Sequence, residues 1–131
     1  MAKLIHTMVR VSALEPAIQF YSTAFNFKEK HRLDFPTFTL VYLGNDQSEA
    51  ELELTFNKDQ ATPYEHGTAY GHVAFSVEGL EACHQRLKNA GFNPADIKQL
   101  DINGVTQARF FFITDPDGYK IEVLERGGHF K

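Results

Sequence analysis

The chain has 131 residues, 43% of them hydrophobic and 23% charged, with a formal net charge of -4. That is enough for one domain with a proper core, and the slight acidity without a basic run argues against nucleic acid or an anionic membrane as partner. No apolar stretch reaches membrane-spanning length, the opening MAKLIHTMVR has no signal-peptide core, and the lone Cys83 cannot form an internal disulfide, which together predict a cytoplasmic protein.

The first predicted element is the strand LIHTMVRV, residues 4–11, with His6, Met8 and Arg10 on one face and Ile5, Val9 and Val11 on the other. SALEPAIQFYSTAF then predicts a helix. Ser12 and Glu15 have capping-box spacing, Pro16 suits a first turn, and Leu14, Ile18 and Phe25, with Ala17 and Tyr21, recur at helical intervals. Two strands follow, FTLVYLG and ELELTFN, with NDQSE as the turn between them. In the second, Glu51, Glu53, Thr55 and Asn57 share a face opposite Leu52, Leu54 and Phe56.

YEHGTAYG, residues 64–71, reads as a linker between two modules, about 1–63 and 70–126, of a single domain. AYGHVAFSV is a strand with His72 at its head. LEACHQRLKNAG is a helix with Leu80, Cys83, Leu87 and Ala90 as its apolar stripe and Gly91 to end it. ARFFFIT and YKIEVLE are strands joined by Asp115-Pro116-Asp117-Gly118, where Pro pre-sets one φ and Gly accepts a positive one. RGGHFK reads as a loose tail.

Shifted by 66 residues, the second half falls on the first: His6 on His72, Val11 on Val77, Leu14 on Leu80, Glu15 on Glu81, Gln19 on Gln85 and Ala24 on Ala90. Each half reads β-α-β-β, with room for one more short strand after the helix. Such a repeat can be purely architectural, and a lone His in a strand is most often a packing residue. Polar residues alternating with apolar ones ordinarily mark a half-exposed antiparallel sheet. The combination says more. Each half has a His in its first strand and a Glu in its last, 47 residues from His6 to Glu53 and 50 from His72 to Glu122. Two imidazoles and two carboxylates, completed by two waters, suit an octahedral divalent metal such as Ni(II), Co(II), Mn(II) or Zn(II). Two exchangeable positions would let a substrate chelate through neighbouring oxygens. His31, His66, His84 and His129 fall on loop, helix-surface or tail positions and read as solvated.

LIHTMVRV, ELELTFN, GTAYGHVAFSV and DPDGYKIEVLE together resemble the glyoxalase I (lactoylglutathione lyase) family of the vicinal oxygen chelate superfamily, in its short bacterial form. The resemblance covers nearly the whole chain. It implies an α+β fold of two βαβββ modules forming a curved mixed sheet, with His6, Glu53, His72 and Glu122 as metal ligands. It also implies a homodimer whose active sites lie at the interface. The brief link from ELELTFN to GTAYGH resembles the class activated by Ni(II) or Co(II) more than the Zn(II) class. The implied reaction converts the hemithioacetal of glutathione and methylglyoxal to S-lactoylglutathione. A carboxylate takes a proton from carbon next to a carbonyl and another group returns it to the next carbon; Glu122 is the first choice for the base and Glu53 for the return.

By parity Arg10 and Asn57 border the same face as the ligands. In the family the matching Arg and Asn hold the γ-glutamyl end of glutathione, and an Arg fork suits a carboxylate. Lys98 is a candidate for the glycine carboxylate. Departures are the stretch IKQLDINGVTQARFFF, with Gly104 alone where relatives are Gly-rich, and Asn26 where relatives commonly have Gly. Rival readings within the superfamily are an epimerase, an extradiol dioxygenase or a thiol transferase. A different class is a metal-free protein that sequesters a small molecule, as bleomycin-resistance proteins do. Two His and two Glu argue against the dioxygenase and transferase, which use two His and one Glu, and against the sequestering proteins, which lack the ligands.

Overall fold

The computed structural model describes residues 1–131. Ten elements follow in chain order: β1 (His6–Arg10), α1 (Leu14–Phe25), β2 (Lys28–Asp34), β3 (Phe38–Gly44), β4 (Glu51–Asn57), β5 (Val73–Val77), α2 (Leu80–Asn89), β6 (Lys98–Ile102), β7 (Val105–Thr114) and β8 (Lys120–Glu125). The chain divides into two units, Met1–Glu65 and His66–Lys131, so the boundary falls inside the 64–71 linker. Each unit is α+β, with one helix and a four-stranded mixed sheet, in the orders β1-β4-β3-β2 and β5-β8-β7-β6.

The topology within each unit is βαβββ. The first strand lies parallel to the last, and the remaining pairs are antiparallel. A parallel pair needs a crossover, which the helix supplies. In the first unit Val9, Val41, Leu43, Leu52 and Leu54 form the buried face of the sheet, and α1 contributes buried Ala17, Phe20, Tyr21 and Ala24. In the second, Phe111, Ile113, Ile121 and Val123 are buried with Leu80, Cys83 and Leu87 of α2. Both cores follow from alternation in the strands and helical spacing in the helices.

The expected third strand of each unit is present, as β2 and β6. Both are edge strands and exposed throughout. The charged sequence KEKHRLD of β2 keeps its outer edge from pairing with other chains. Within β2, Arg32 donates to Glu29 at 2.6 Å. The Lys58 ammonium in turn reaches Asp34 at 2.8 Å.

Some local expectations are corrected. Helix α1 has Ala13 as its N-cap, in extended conformation and with no side-chain cap bond, so the Ser12–Glu15 capping box does not form. The helix starts one residue later than that box requires, and Pro16 still falls in the first turn, where no backbone donor is needed. Its buried stripe is Ala17, Phe20, Tyr21 and Ala24, with Leu14, Ile18 and Phe25 at its margins. Ala90 is exposed beyond the end of α2. That helix ends in a Schellman turn: Phe92 N–H donates to Leu87 C=O at 3.1 Å and Gly91 N–H to Lys88 C=O at 3.1 Å, with Gly91 at φ 86°. Asn26, at φ 53°, does the left-handed duty at the end of α1. The C-terminal RGGHFK is a closed turn rather than a loose tail, with Gly127 and Phe130 exchanging backbone bonds of 2.8 and 2.9 Å.

The Asp115–Gly118 turn is built by its first residue. The buried Asp115 carboxylate accepts from the Asp117 and Tyr119 backbone N–H groups, both at 2.9 Å. Gly118 sits at φ 88°. The turn sets the register of β7 on β8 and so places Glu122 opposite Phe112.

Candidate metal and substrate site

Each sheet has one face turned to its core and one face free for chemistry. In the first unit the register puts Met8, Glu53 and Tyr42 in one row across β1, β4 and β3, and His31 of β2 extends it. His6 stands two residues before Met8 on the same face. It reaches Glu53 diagonally, with Nε2 3.1 Å from Oε2. In the second unit the row is Ala74, Glu122 and Phe112. His72 stands two residues before Ala74, with Nε2 3.4 Å from Glu122 Oε2.

The two pairs therefore share one construction. In each, a His enters the parallel first strand and a Glu sits on the last strand opposite the residue two further along. The imidazoles are 36% and 42% exposed and the carboxylates 11% and 16%, so the rings are presented outward while the acids are held by the sheet. Neighbouring imidazole nitrogen and carboxylate oxygen are a donor set suited to a divalent metal of intermediate hardness. Each pair supplies two donors, and no group of three or more His, Cys, Asp or Glu side chains able to hold a metal occurs in the chain.

Two of the other expected site residues, Arg10 and Asn57, lie on the same face of the first sheet, and Lys98 lies in the second. Arg10 is exposed on β1 opposite Thr55 of β4, one row from Glu53. Asn57 ends β4 half-buried, and its amide donates to the Tyr64 hydroxyl at 3.2 Å. Lys98 opens β6, exposed and opposite Phe110.

Sequence reasoning missed the aromatic neighbours. Burial first, and then the neighbouring Glu53 carboxylate, push the Tyr42 phenol above the ordinary range. Its ring lies edge-on to His6 at 5.7 Å and tilted against His31 at 6.0 Å. Phe112 takes the corresponding place beside His72, edge-on at 5.4 Å. The signal that could have found Tyr42 was its alternation with Val41 and Leu43, which turns it to the polar side. His31 lies on β2 rather than in a loop. Nor are two other histidines simply solvated: His84 Nε2 lies 2.8 Å from Ala95 C=O, and the His66 ring stacks on Tyr119 at 4.1 Å with its Nε2 buried. Cys83 is buried, and desolvation raises its thiol pKa, which makes it a poor nucleophile.

Comparison with known proteins identifies the relatives of this chain. Residues 3–123 match the family model described as Glyoxalase/Bleomycin resistance protein/Dioxygenase superfamily. The chain is 40% identical over 129 residues to the lactoylglutathione lyase of Neisseria meningitidis serogroup B, covering 95% of this chain and 91% of that one. It is 37% identical over 127 residues to that of Haemophilus influenzae, covering 94% and 92%. Among solved structures, the trypanothione-dependent glyoxalase I of Leishmania major superposes with a TM-score of 0.75 at 35% identity, over 95% of this chain and 87% of that one. Glyoxalase I from Zea mays superposes with a TM-score of 0.77 at 26% identity, over 96% and 45%.

Proposed function

Because the chain belongs to the Glyoxalase/Bleomycin resistance protein/Dioxygenase superfamily, we propose that it is a glyoxalase I. It is a lactoylglutathione lyase that isomerises the hemithioacetal of glutathione and methylglyoxal to S-lactoylglutathione and so detoxifies methylglyoxal. The observation that carries this reading is the repeated His–Glu pair, built twice by the same strand offset.

His6, Glu53, His72 and Glu122 would hold one divalent metal, Ni(II) or Co(II) in preference to Zn(II). That ion supplies Lewis-acid polarisation of the two neighbouring substrate oxygens. A pair is only half of such a set. A homodimer supports completion, with His6 and Glu53 of one chain joined by His72 and Glu122 of a second. No helix of the chain is long and apolar enough to cross a membrane. The lone free Cys83 suits a reducing cytoplasm.

The reaction moves one hydrogen between adjacent carbons. Glu122 takes the proton from the carbon bearing sulfur, and Glu53 returns a proton to the neighbouring carbon, so no oxidant or reductant is consumed. Arg10 fixes the γ-glutamyl carboxylate, and Asn57, steadied by Tyr64, orients its amide toward the same end of glutathione. The deciding experiment is thioester formation from the hemithioacetal by chelator-stripped protein reloaded in turn with Ni(II), Co(II), Mn(II) and Zn(II). Metal-restored activity, greatest with Ni(II) or Co(II), is the expected result. Folded protein that binds metal yet forms no thioester with any of them would overturn it.

A further inference from the structure

The two histidines of the repeat reach their strands differently. His6 is the first residue of β1 and lies in register with Glu51, whose N–H donates to Ile5 C=O at 2.9 Å, so the ladder runs past it. His72 stands one residue ahead of β5, whose register opens at Val73 opposite Ile121. Its side chain is 42% exposed. A metal ligand ahead of its ladder has to be held by other contacts if its geometry is to be fixed.

Those contacts come from the segment just before it. Of residues 65–72, His66 and Tyr70 are half-buried and the others exposed. Both rings close on Tyr119, which is buried at the end of the Asp115–Gly118 turn. The His66 ring lies flat on Tyr119, at 4.1 Å with 6° between planes, and the Tyr70 ring packs against Tyr119 at 4.9 Å. The Tyr70 hydroxyl donates to Lys120 C=O at 3.2 Å. Lys120 is the residue that the β5–β8 register, continued by one step, sets opposite His72. The chain is thus pinned to the start of β8 two residues before His72. His66 Nε2 is buried without a hydrogen-bond partner, so stacking, rather than a bond from that nitrogen, holds the ring.

The first unit has no such device. The 66-residue shift sets Leu4 at the place of Tyr70, and Leu4 is 78% exposed. On the last strands Glu53 matches Glu122, which sets Ala50 at the place of Tyr119.

We propose that His66, Tyr70 and Tyr119 form an aromatic clasp that positions His72 for metal binding. This rests on the glyoxalase reading above and deepens it, because it names what holds the proposed ligand that precedes its strand. The three are positioning residues, acting on the metal only through His72.

The test uses the full-length protein and the substitutions His66→Ala, His66→Phe, Tyr70→Phe and Gly91→Ala. Ni(II) affinity is measured by competition with a chromophoric chelator, and circular dichroism establishes that each variant is folded. His66→Ala deletes the stacked ring and is expected to raise the Ni(II) Kd by about 10-fold, the size of effect seen when a group orienting a metal ligand is lost. His66→Phe restores a flat ring and removes the orphaned nitrogen, so its Kd is expected within about twofold of wild type. Tyr70→Phe loses one oxygen atom and is expected to raise Kd by about 3-fold. It keeps every ring, and it carries the test by itself if His66→Ala does not fold. Gly91→Ala strains the left-handed end of α2, at φ 86°, and is expected to lower the melting temperature while leaving Ni(II) affinity unchanged.

Ni(II) affinity equal to wild type in folded His66→Ala and folded Tyr70→Phe would overturn the clasp. Equal weakening in His66→Ala and His66→Phe would overturn the stacking role. A matching loss of affinity in Gly91→Ala would reduce the effect to stability and overturn the positioning role. A wild-type protein that takes up no Ni(II) would instead sink the metal-site reading itself, and this proposal with it, so the two failures are told apart by the wild-type control.

Discussion

His6 meets Glu53 diagonally across two parallel strands, with Nε2 3.1 Å from Oε2, although Glu51 is the residue directly opposite it. The diagonal is what makes the pair usable. An imidazole leaning along its strand toward the next same-face position converges with the glutamate there, whereas directly opposed side chains would run side by side.

The proposed base gives the first prediction. Glu122→Gln keeps the shape and removes the base, so kcat should fall by about 10²–10⁴-fold while the circular dichroism spectrum is unchanged. The assay is initial thioester formation with the metal at saturation. A variant retaining full activity would strip Glu122 of its role.

Metal removal should register in stability as well as in rate. A ligand that binds only the folded state raises stability in proportion to the logarithm of its excess over Kd, about 2.7 kcal/mol at a hundredfold excess. Chelator-treated protein should melt several degrees lower by calorimetry and recover on adding Ni(II). His72→Ala should lose that recovery.

Asp115 is a structural acid, and its loss should be felt away from the site. Asp115→Ala deletes the acceptor of two backbone N–H groups in a buried turn and should cost about 2–3 kcal/mol in urea unfolding. Asp115→Asn keeps the same oxygen and should cost less. Equal losses in the two variants would mean that the carboxylate's bonds are not what holds the turn.

At Asn26 the backbone is left-handed, at φ 53°. Asn26→Ala should destabilise by about 1 kcal/mol, because the added strain has no side-chain compensation, while Asn26→Gly should be neutral or slightly stabilising. The order of the two melting temperatures checks this.

Acid sensitivity should be visible at the Arg109 network, where the guanidinium bridges Glu81 and Glu125. The Arg109 bond holds the Glu81 carboxyl below its ordinary value of 4.5. A depressed folded-state pKa contributes stability above the unfolded value and loses it as pH falls through the folded one. Glu81→Gln should therefore lower the urea midpoint at pH 7 and have little effect at pH 3. A difference that persists at pH 3 would assign the effect to packing instead.

What could be read before any coordinates was whatever repeats at a fixed period. β3 and β4 coincide with FTLVYLG and ELELTFN because their alternation is complete, and the faces carrying His6, Arg10, Glu53 and Asn57 follow from parity. β2 and β6 were legible only as gaps to be filled. An edge strand exposed on both sides, such as KEKHRLD, has no apolar rhythm, and its state is decided by the neighbour it pairs with. Tyr42 escaped notice for a related reason. Its partner is set by the register of β3 on β4, a long-range property that local pattern does not encode. The helix start slipped by one residue because a capping box is only a competing local option, and the chain leaving β1 uses Ala13 instead.

The crossover topology has a consequence for the order in which the protein comes into being. Each His lies at the start of its module and each Glu on the last strand, so neither pair can form until the hairpin at the far end of the module has closed and the first strand has docked beside it. Contacts at such sequence separation carry the largest loop-closure cost and come after the local hairpins. An emerging or half-folded chain thus presents isolated imidazoles and carboxylates and no chelating pair. On the proposed metal-binding reading, only a module that has finished folding offers its His and Glu as a pair.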